Sequence, residues 1–129
     1  MKIKKIETSF SDERGTIADV FYKANIEHVA IIKTNNNGRI IRGNHFHKKT
    51  TQHILMTKGS LKYWYKESEK KNSSIQSVDV REGYIVTTPP YEIHALECLE
   101  ASEFIVFSTG LRGGADYEAD TFRVDPILK

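Results

Sequence analysis

At 129 residues, 39% of them apolar and 28% charged, the chain has the length of one domain and can bury its own core, so a single domain over 1–129 is expected. Its 19 basic and 17 acidic residues leave a net charge of only +2, too balanced for the concentrated basic face of a nucleic-acid binder. A lone cysteine excludes an intrachain disulfide, and no apolar run is long enough to span a bilayer, so a cytoplasmic protein with no membrane partner is expected.

Past a polar start, Met1–Lys5, short segments rich in Val, Ile, Tyr and Phe recur, the composition of pleated, half-buried strands. In chain order they are Thr16–Tyr22, Val29–Lys33, Arg39–Arg42, Gln52–Thr57, Leu61–Tyr65, Ile75–Val80, Tyr84–Thr87, Ala95–Leu99 and Phe104–Phe107. Asn35–Gly38 reads as a tight turn, because Asn and Gly tolerate positive φ. Gly59-Ser60 breaks the next pair, and Lys66–Ser74, polar throughout, reads as an exposed hairpin tip. Pro89-Pro90 removes two backbone donors, so a central strand has to stop there. Spacings of about 8–12 residues, with no sustained 3.6-residue period, predict an all-β sandwich or barrel. Thr109–Lys129 is looser, with Gly110, Gly113 and Gly114. It reads either as a loop over the barrel mouth or as a tail along the outside.

Three of the five histidines stand in a meaningful pattern. Alternate residues of a strand share a face, with Cα atoms about 6.6 Å apart. His45 and His47 therefore point the same way and can reach one ion at about 2.0–2.1 Å. Four residues separate His47 from Gln52, and six separate Gln52 from Gly59. Five residues separate Gly83 from Pro89, and His94 lies five positions beyond Pro89. Strand alternation turns His53 away from the face of Gln52, and both His53 and His28 read as bystanders. Cys98, in an apolar strand, reads as packing.

These spacings resemble the two motifs of the cupin family across Gly43–Gly59 and Gly83–Cys98. The resemblance implies a cupin jelly-roll barrel (a double-stranded β-helix) with His45, His47 and His94 converging inside. Gln52 stands where the family has its Glu ligand, Tyr91 replaces a Gly and Cys98 replaces an Asn. A neutral amide binds a divalent ion less tightly than a carboxylate. Two readings stay open: no cofactor, with the histidines held by hydrogen bonds, or one divalent metal on His45, His47, Gln52 and His94. The donor set does not distinguish zinc, iron, manganese and nickel.

Two further segments narrow the likeness. Phe10–Thr16, with Asp12-Glu13-Arg14-Gly15, and Arg42–Lys49 resemble the sugar-nucleotide cupins. These are the 3,4-ketoisomerases of 4-keto-6-deoxyhexoses, the dTDP-4-dehydrorhamnose 3,5-epimerases, and the C-terminal cupin of capsular sugar-nucleotide reductase/epimerases. Asp120-Thr121-Phe122 is similar to a late segment of the last group. The resemblance implies an isomerase or epimerase acting on a nucleotide-linked 4-keto-deoxysugar in surface-polysaccharide synthesis. Such chemistry begins by removing a proton next to a carbonyl, a task suited to histidine. On that likeness His45, His47 and Arg42 are the catalytic candidates, and Arg14, Arg42 and Tyr91 the substrate-binding ones. A guanidinium fork matches diphosphate oxygens. Trp64, Tyr63 and Tyr65 read as strand packing or as a base-stacking surface. A homodimer is also implied. The rivals are a non-catalytic metal-binding cupin serving as a sugar-binding or assembly module, and a metal-dependent oxygenase.

Overall fold

The alternation of buried and exposed side chains along the strands resolves into two facing antiparallel sheets. The computed structural model describes residues 1–35, 38–67, 73–110 and 112–129. Among them the strands are β1 (Lys2–Lys5), β2 (Phe10–Asp12), β3 (Gly15–Ile17), β4 (His28–Lys33), β5 (Ile40–Phe46), β6 (Gln52–Lys58), β7 (Ser60–Lys66), β8 (Gln76–Arg81), β9 (Tyr84–Thr88), β10 (Ile93–Cys98), β11 (Glu103–Ser108) and β12 (Phe122–Arg123). One sheet has the order β1-β9-β6-β11-β4, the other β12-β5-β10-β7-β8, and β2 and β3 form a separate hairpin. This is the expected all-β, cupin-like jelly roll.

The core lies between the sheets. On β6, Ile54 and Met56 are buried while the alternating His53, Leu55 and Thr57 are half-exposed. They meet Leu61 and Tyr63 of β7, Leu96 and Cys98 of β10, and Phe104 and Val106 of β11. Cys98 is part of this packing, and burial pushes its thiol up and away from reactivity. Tyr63 is wholly buried and satisfies its hydroxyl on Thr88 Oγ1 (2.6 Å) and Glu92 Oε1 (2.8 Å). Trp64 donates to Glu97 and Tyr65 to Gln76, bonds that tie β7 to its neighbours β10 and β8.

Several boundaries move. The segment expected as a strand over Thr16–Tyr22 keeps its pairing only to Ile17. Beyond it Phe21 lies edge-on against His53 and Phe107, both at 4.9 Å between ring centroids, covering the outer face of the first sheet. The strand expected over Arg39–Arg42 runs on to Phe46, and the one expected from Ala95 begins at Ile93. Both extensions carry histidines into the second sheet. β9 stops at Thr88, just before Pro89-Pro90, as expected. The expected turn at Asn35–Gly38 and the hairpin tip at Lys66–Ser74 fall partly outside the described residues.

Candidate functional site

Chain geometry arranges the inner faces in rows. Across the first sheet, His28, Ser108, Gln52 and Thr88 are successive cross-strand partners, forming a polar row. The next row, Ala30, Val106, Ile54 and Val86, is apolar. Across the second sheet, Arg123, His45 and His94 are successive partners. A cavity of about 350 Å³ opens between these rows. It is lined by His28, Gln52, His45, His94 and Arg42 from the sheets, and by Arg112, Tyr117, Glu118, Thr121 and Arg123 from the segment beyond β11.

One irregularity aims the second sheet's contribution. Pairing of β10 with β5 jumps from His94↔His45 to Ala95↔Gly43, leaving Asn44 as an extra residue. Arg42 and His45 are three positions apart and would face opposite sides of a regular strand; the bulge lets both line the cavity. Gly43 takes φ +96°, and a Cβ there would stand 2.8 Å from the His94 carbonyl oxygen. Asn44, at φ 58°, turns its amide to the C-terminal segment. Its Oδ1 accepts from the N–H of Ile127 (2.9 Å) and Leu128 (3.3 Å), and its Nδ2 donates to the Leu128 carbonyl (3.1 Å).

The three imidazoles meet as expected. Ring centroids are 4.8 Å apart for His45–His47, 4.7 Å for His45–His94 and 5.4 Å for His47–His94. His47 Nδ1 lies 2.7 Å from the Asp120 carbonyl and His94 Nδ1 3.1 Å from the Glu92 carbonyl. A carbonyl only accepts, so both Nδ1 atoms carry the proton, and in the neutral ring Nε2 carries the lone pair. His47 Nε2 and His45 Nδ1 are buried without a hydrogen-bond partner among the described residues. The Tyr63 ring stacks parallel on His94, with centroids 6.1 Å apart.

The electrostatics keep these rings neutral. Burial, then the His94 and His47 rings and the Arg112 and Arg123 charges, push His45 down to about 2. Burial pushes His94 down to about 4, against the Glu92 carbonyl. Burial also lowers His47, but there both the carbonyl and the carboxylate of Asp120, with the Gln52 side chain, favour the charged ring. His47 is thus the ring whose surroundings most favour the charged form. The same donors fit one divalent ion, since the three histidines offer ligand atoms within 4.8 Å of one another. Carbonyl partners on the far nitrogens are the outer support that ligating histidines use.

Asp120 holds this corner together. Its carboxylate accepts from the N–H of Lys48 (3.0 Å) and Lys49 (2.8 Å) and from Thr50 Oγ1 (2.9 Å), while its carbonyl orients His47. Partial burial disfavours the charge, but the donors on Lys49, Lys48 and Thr50 together hold the carboxyl below the usual range. A depressed carboxyl stabilises the fold above its unfolded pKa, and that contribution is lost as pH falls through the folded one. Asp120→Ala is therefore expected to cost about 1–2 kcal/mol near neutrality, the scale of a few partly solvated charge-assisted bonds. Its gap from wild type should narrow in urea titrations below about pH 4, the ordinary carboxylate range; a gap constant with pH would refute the assignment.

The remaining residues singled out in the sequence lie elsewhere or prove unexpected. Arg14 sits on the β2–β3 hairpin with its side chain 80% exposed, bound to Asp12 at 2.6 Å, and does not line the cavity. Tyr91, at φ 70° and exposed, stacks on Phe46 at 6.2 Å and also stands off the cavity. His53 bonds Thr87 Oγ1 on the outer face, away from the site. His28 is no bystander, because it shares the row of Gln52 and lines the cavity. A Cβ at Gly113 would come within 2.8 Å of its ring, so the glycine allows the loop to close on it. The segment beyond Thr109 takes both of its readings: residues 112–121 loop over the mouth, while β12 and the residues after it run along the edge of the second sheet, pairing with β5 and bonding Asn44 and Arg39. It carries Arg112, Thr121 and Arg123, whose roles sequence reasoning missed; the glycines around Arg112 were the only signal.

A family model described as the polysaccharide biosynthesis C-terminal domain matches residues 10–121. Among solved structures, the chain is similar to the TDP-quinovose 3,4-ketoisomerase of Campylobacter jejuni, with TM-score 0.76, 17% identity and coverage of 95% of this chain and 92% of that one. It is also similar to a mutant 3,4-ketoisomerase of Thermoanaerobacterium thermosaccharolyticum in complex with TDP-4-keto-6-deoxyglucose, with TM-score 0.74, 19% identity and coverage of 95% and 86%. The dTDP-4-dehydrorhamnose 3,5-epimerase of Sulfolobus tokodaii gives TM-score 0.74, 20% identity and coverage of 98% and 81%. At these identities the likeness establishes a shared fold. No curated protein sequence matches.

Proposed function

The chain belongs to the polysaccharide biosynthesis C-terminal domain family, and from that premise we propose that it is an isomerase or epimerase of a nucleotide-linked 4-keto-deoxysugar. The observation that carries this reading is His47, a neutral imidazole with Nδ1–H fixed on the Asp120 carbonyl and Nε2 buried without a partner, its ring centroid 4.8 Å from that of His45, which lines the cavity. A carbonyl-oriented neutral histidine is equipped to take a proton from the carbon next to a ketone. Electrons of that C–H bond form the C=C bond, and the ketone oxygen becomes an enolate. Returning the proton to the former carbonyl carbon, while the hydroxyl proton of the adjacent carbon passes to the old ketone oxygen, moves the ketone; returning one to the opposite face of the same carbon inverts it. Arg42 and Arg123, both lining the cavity and exposed, suit the diphosphate, which stays near solvent.

A second reading rests on the same trio. His45, His47 and His94 would hold one divalent ion, with Gln52 as a neutral fourth neighbour, in a sugar-binding module or in an enzyme. Bound there, the ion would supply Lewis-acid polarisation of a sugar oxygen. One experiment separates the readings: incubate metal-analysed protein with TDP-4-keto-6-deoxyglucose in D2O and follow the sugar by NMR. Deuterium entering next to the carbonyl in metal-free protein supports the isomerase. Binding without exchange, in protein carrying one equivalent of metal, rejects it in favour of the module.

A further inference from the structure

Arg112 is a charge buried without an ion-pair partner. Its residue is 7% exposed, yet no carboxylate among the described residues lies within ion-pair distance of its guanidinium. The two acidic side chains nearest it in the loop are committed elsewhere. Glu118 pairs with Arg123 at 2.9 Å, and Asp120 accepts from Lys48, Lys49 and Thr50. Arg112 Nη1 donates to the Tyr117 carbonyl (3.0 Å) and Thr121 Oγ1 (2.6 Å), and its guanidinium carbon lies 5.1 Å from the Tyr117 ring centroid. These neutral contacts fix one edge of the fork. Nε and Nη2 have no acceptor among the described residues, although a guanidinium has five N–H donors. Burying an unpaired cation is costly, so the arrangement makes sense where a negative charge arrives with the ligand. Of the histidine cluster, His45 and His94 line the same cavity as neutral rings, and Glu118, the lining carboxylate among the described residues, is paired with Arg123.

We propose that Arg112 is the catalytic electrophile that receives the enolate oxygen formed when the histidine cluster removes the proton beside the ketone. The proposal rests on the isomerase reading and adds a residue to the catalytic candidates named from the sequence, His45, His47 and Arg42. Depth separates the two arginines: Arg42 is exposed, whereas Arg112 is shut in by the loop over the mouth. A fixed donor in a water-poor site stabilises charge that develops in the transition state, with little reorganisation. As the C–H electrons move into the C=C bond, the ketone π pair moves to oxygen, and the free N–H groups of Arg112 donate to it. When carbon is reprotonated the charge leaves the oxygen and the fork is restored.

The test uses the full chain with TDP-4-keto-6-deoxyglucose, reading kcat, KM and solvent-deuterium exchange for wild type, Arg112→Lys and Arg112→Ala, each checked by thermal melt. Removing one such donor is expected to lower kcat about 10²–10³-fold while KM moves little, with Arg112→Lys retaining more activity than Arg112→Ala. Added guanidinium ion is expected to restore part of the kcat of Arg112→Ala, which a merely structural role would not allow. A folded Arg112→Ala with near-wild-type kcat, or a loss confined to KM, overturns the assignment. If Arg112→Ala does not fold, Arg112→Lys decides: unchanged kcat overturns the proposal, and a kcat loss at constant KM supports it. Inert wild-type protein is a different result, and it overturns the isomerase reading itself.

Discussion

His47→Asn is expected to lower kcat by about 10²–10⁴-fold, the usual worth of a positioned acid or base, while leaving the melt close to wild type. Asparagine is chosen because its Nδ2–H can still donate to the Asp120 carbonyl, the bond that His47 Nδ1 makes at 2.7 Å. The substitution therefore deletes mainly the buried, unpartnered Nε2. Burial depresses all three rings, but only His47 has both the Asp120 carbonyl and its carboxylate favouring the protonated form. A base must be deprotonated at rest yet able to hold a proton in passing, and His45, pushed down to about 2, is poorly suited to the second half. His45→Asn is accordingly expected to lower kcat less than His47→Asn does. Deuterium exchange at the carbon beside the ketone checks the order directly. If His47→Asn exchanges as fast as wild type while His45→Asn does not, the base is misassigned. If both variants lose stoichiometric metal together with activity, the ligand reading replaces the base reading.

What could be read from sequence followed the periodicities. Strands with clean two-residue alternation, such as Gln52–Lys58 and Glu103–Ser108, were legible because each buries one face against the opposite sheet. The convergence of His45, His47 and His94 was legible from motif spacing, which strand geometry preserves. Features that depend on breaking the period were not. Alternation alone sets Arg42 and His45 on opposite faces, and only the extra residue at Asn44 brings both to the cavity. Nothing in the residue pattern said where the bulge falls. Arg112 and His28 were hidden for a related reason. Arg112 reaches the site through the closing of the loop beyond β11, which leaves no periodic trace, and His28 through its place in the row of Ser108 and Gln52 at the start of β4, which only the strand register reveals. Arg14 and Tyr91 failed to reach the cavity because each lies on a turn, where neighbouring motif residues need not share a direction.

That dependence on one bulge yields the second large expected effect: Gly43→Ala should damage stability and chemistry together. The backbone at Gly43 has φ +96°, and an added Cβ would meet the His94 carbonyl oxygen at 2.8 Å and the Ala95 Cα at 3.1 Å, both backbone atoms of the adjacent strand. Left-handed strain in a non-glycine residue costs about 1–3 kcal/mol, and the clash adds to it because β10 is buried along its whole length. The expected loss is about 3 kcal/mol, which for a chain of this size lowers the melting temperature by about 10 °C. Relief requires moving β5 away from β10, which carries His45 off His94 and turns Arg42 from the cavity. Gly83→Ala is the matched control: its φ is +87° but nothing stands within 4 Å of the new Cβ, so it incurs the strain without the clash. Gly83→Ala is expected to cost about 1 kcal/mol and to keep the deuterium-exchange rate of wild type. Equal stability losses in the two variants, with activity intact in both, would mean that the bulge does not aim the site. Loss of exchange in Gly43→Ala at a temperature where it is still folded would tie the geometry of the site to a single glycine at the cavity wall.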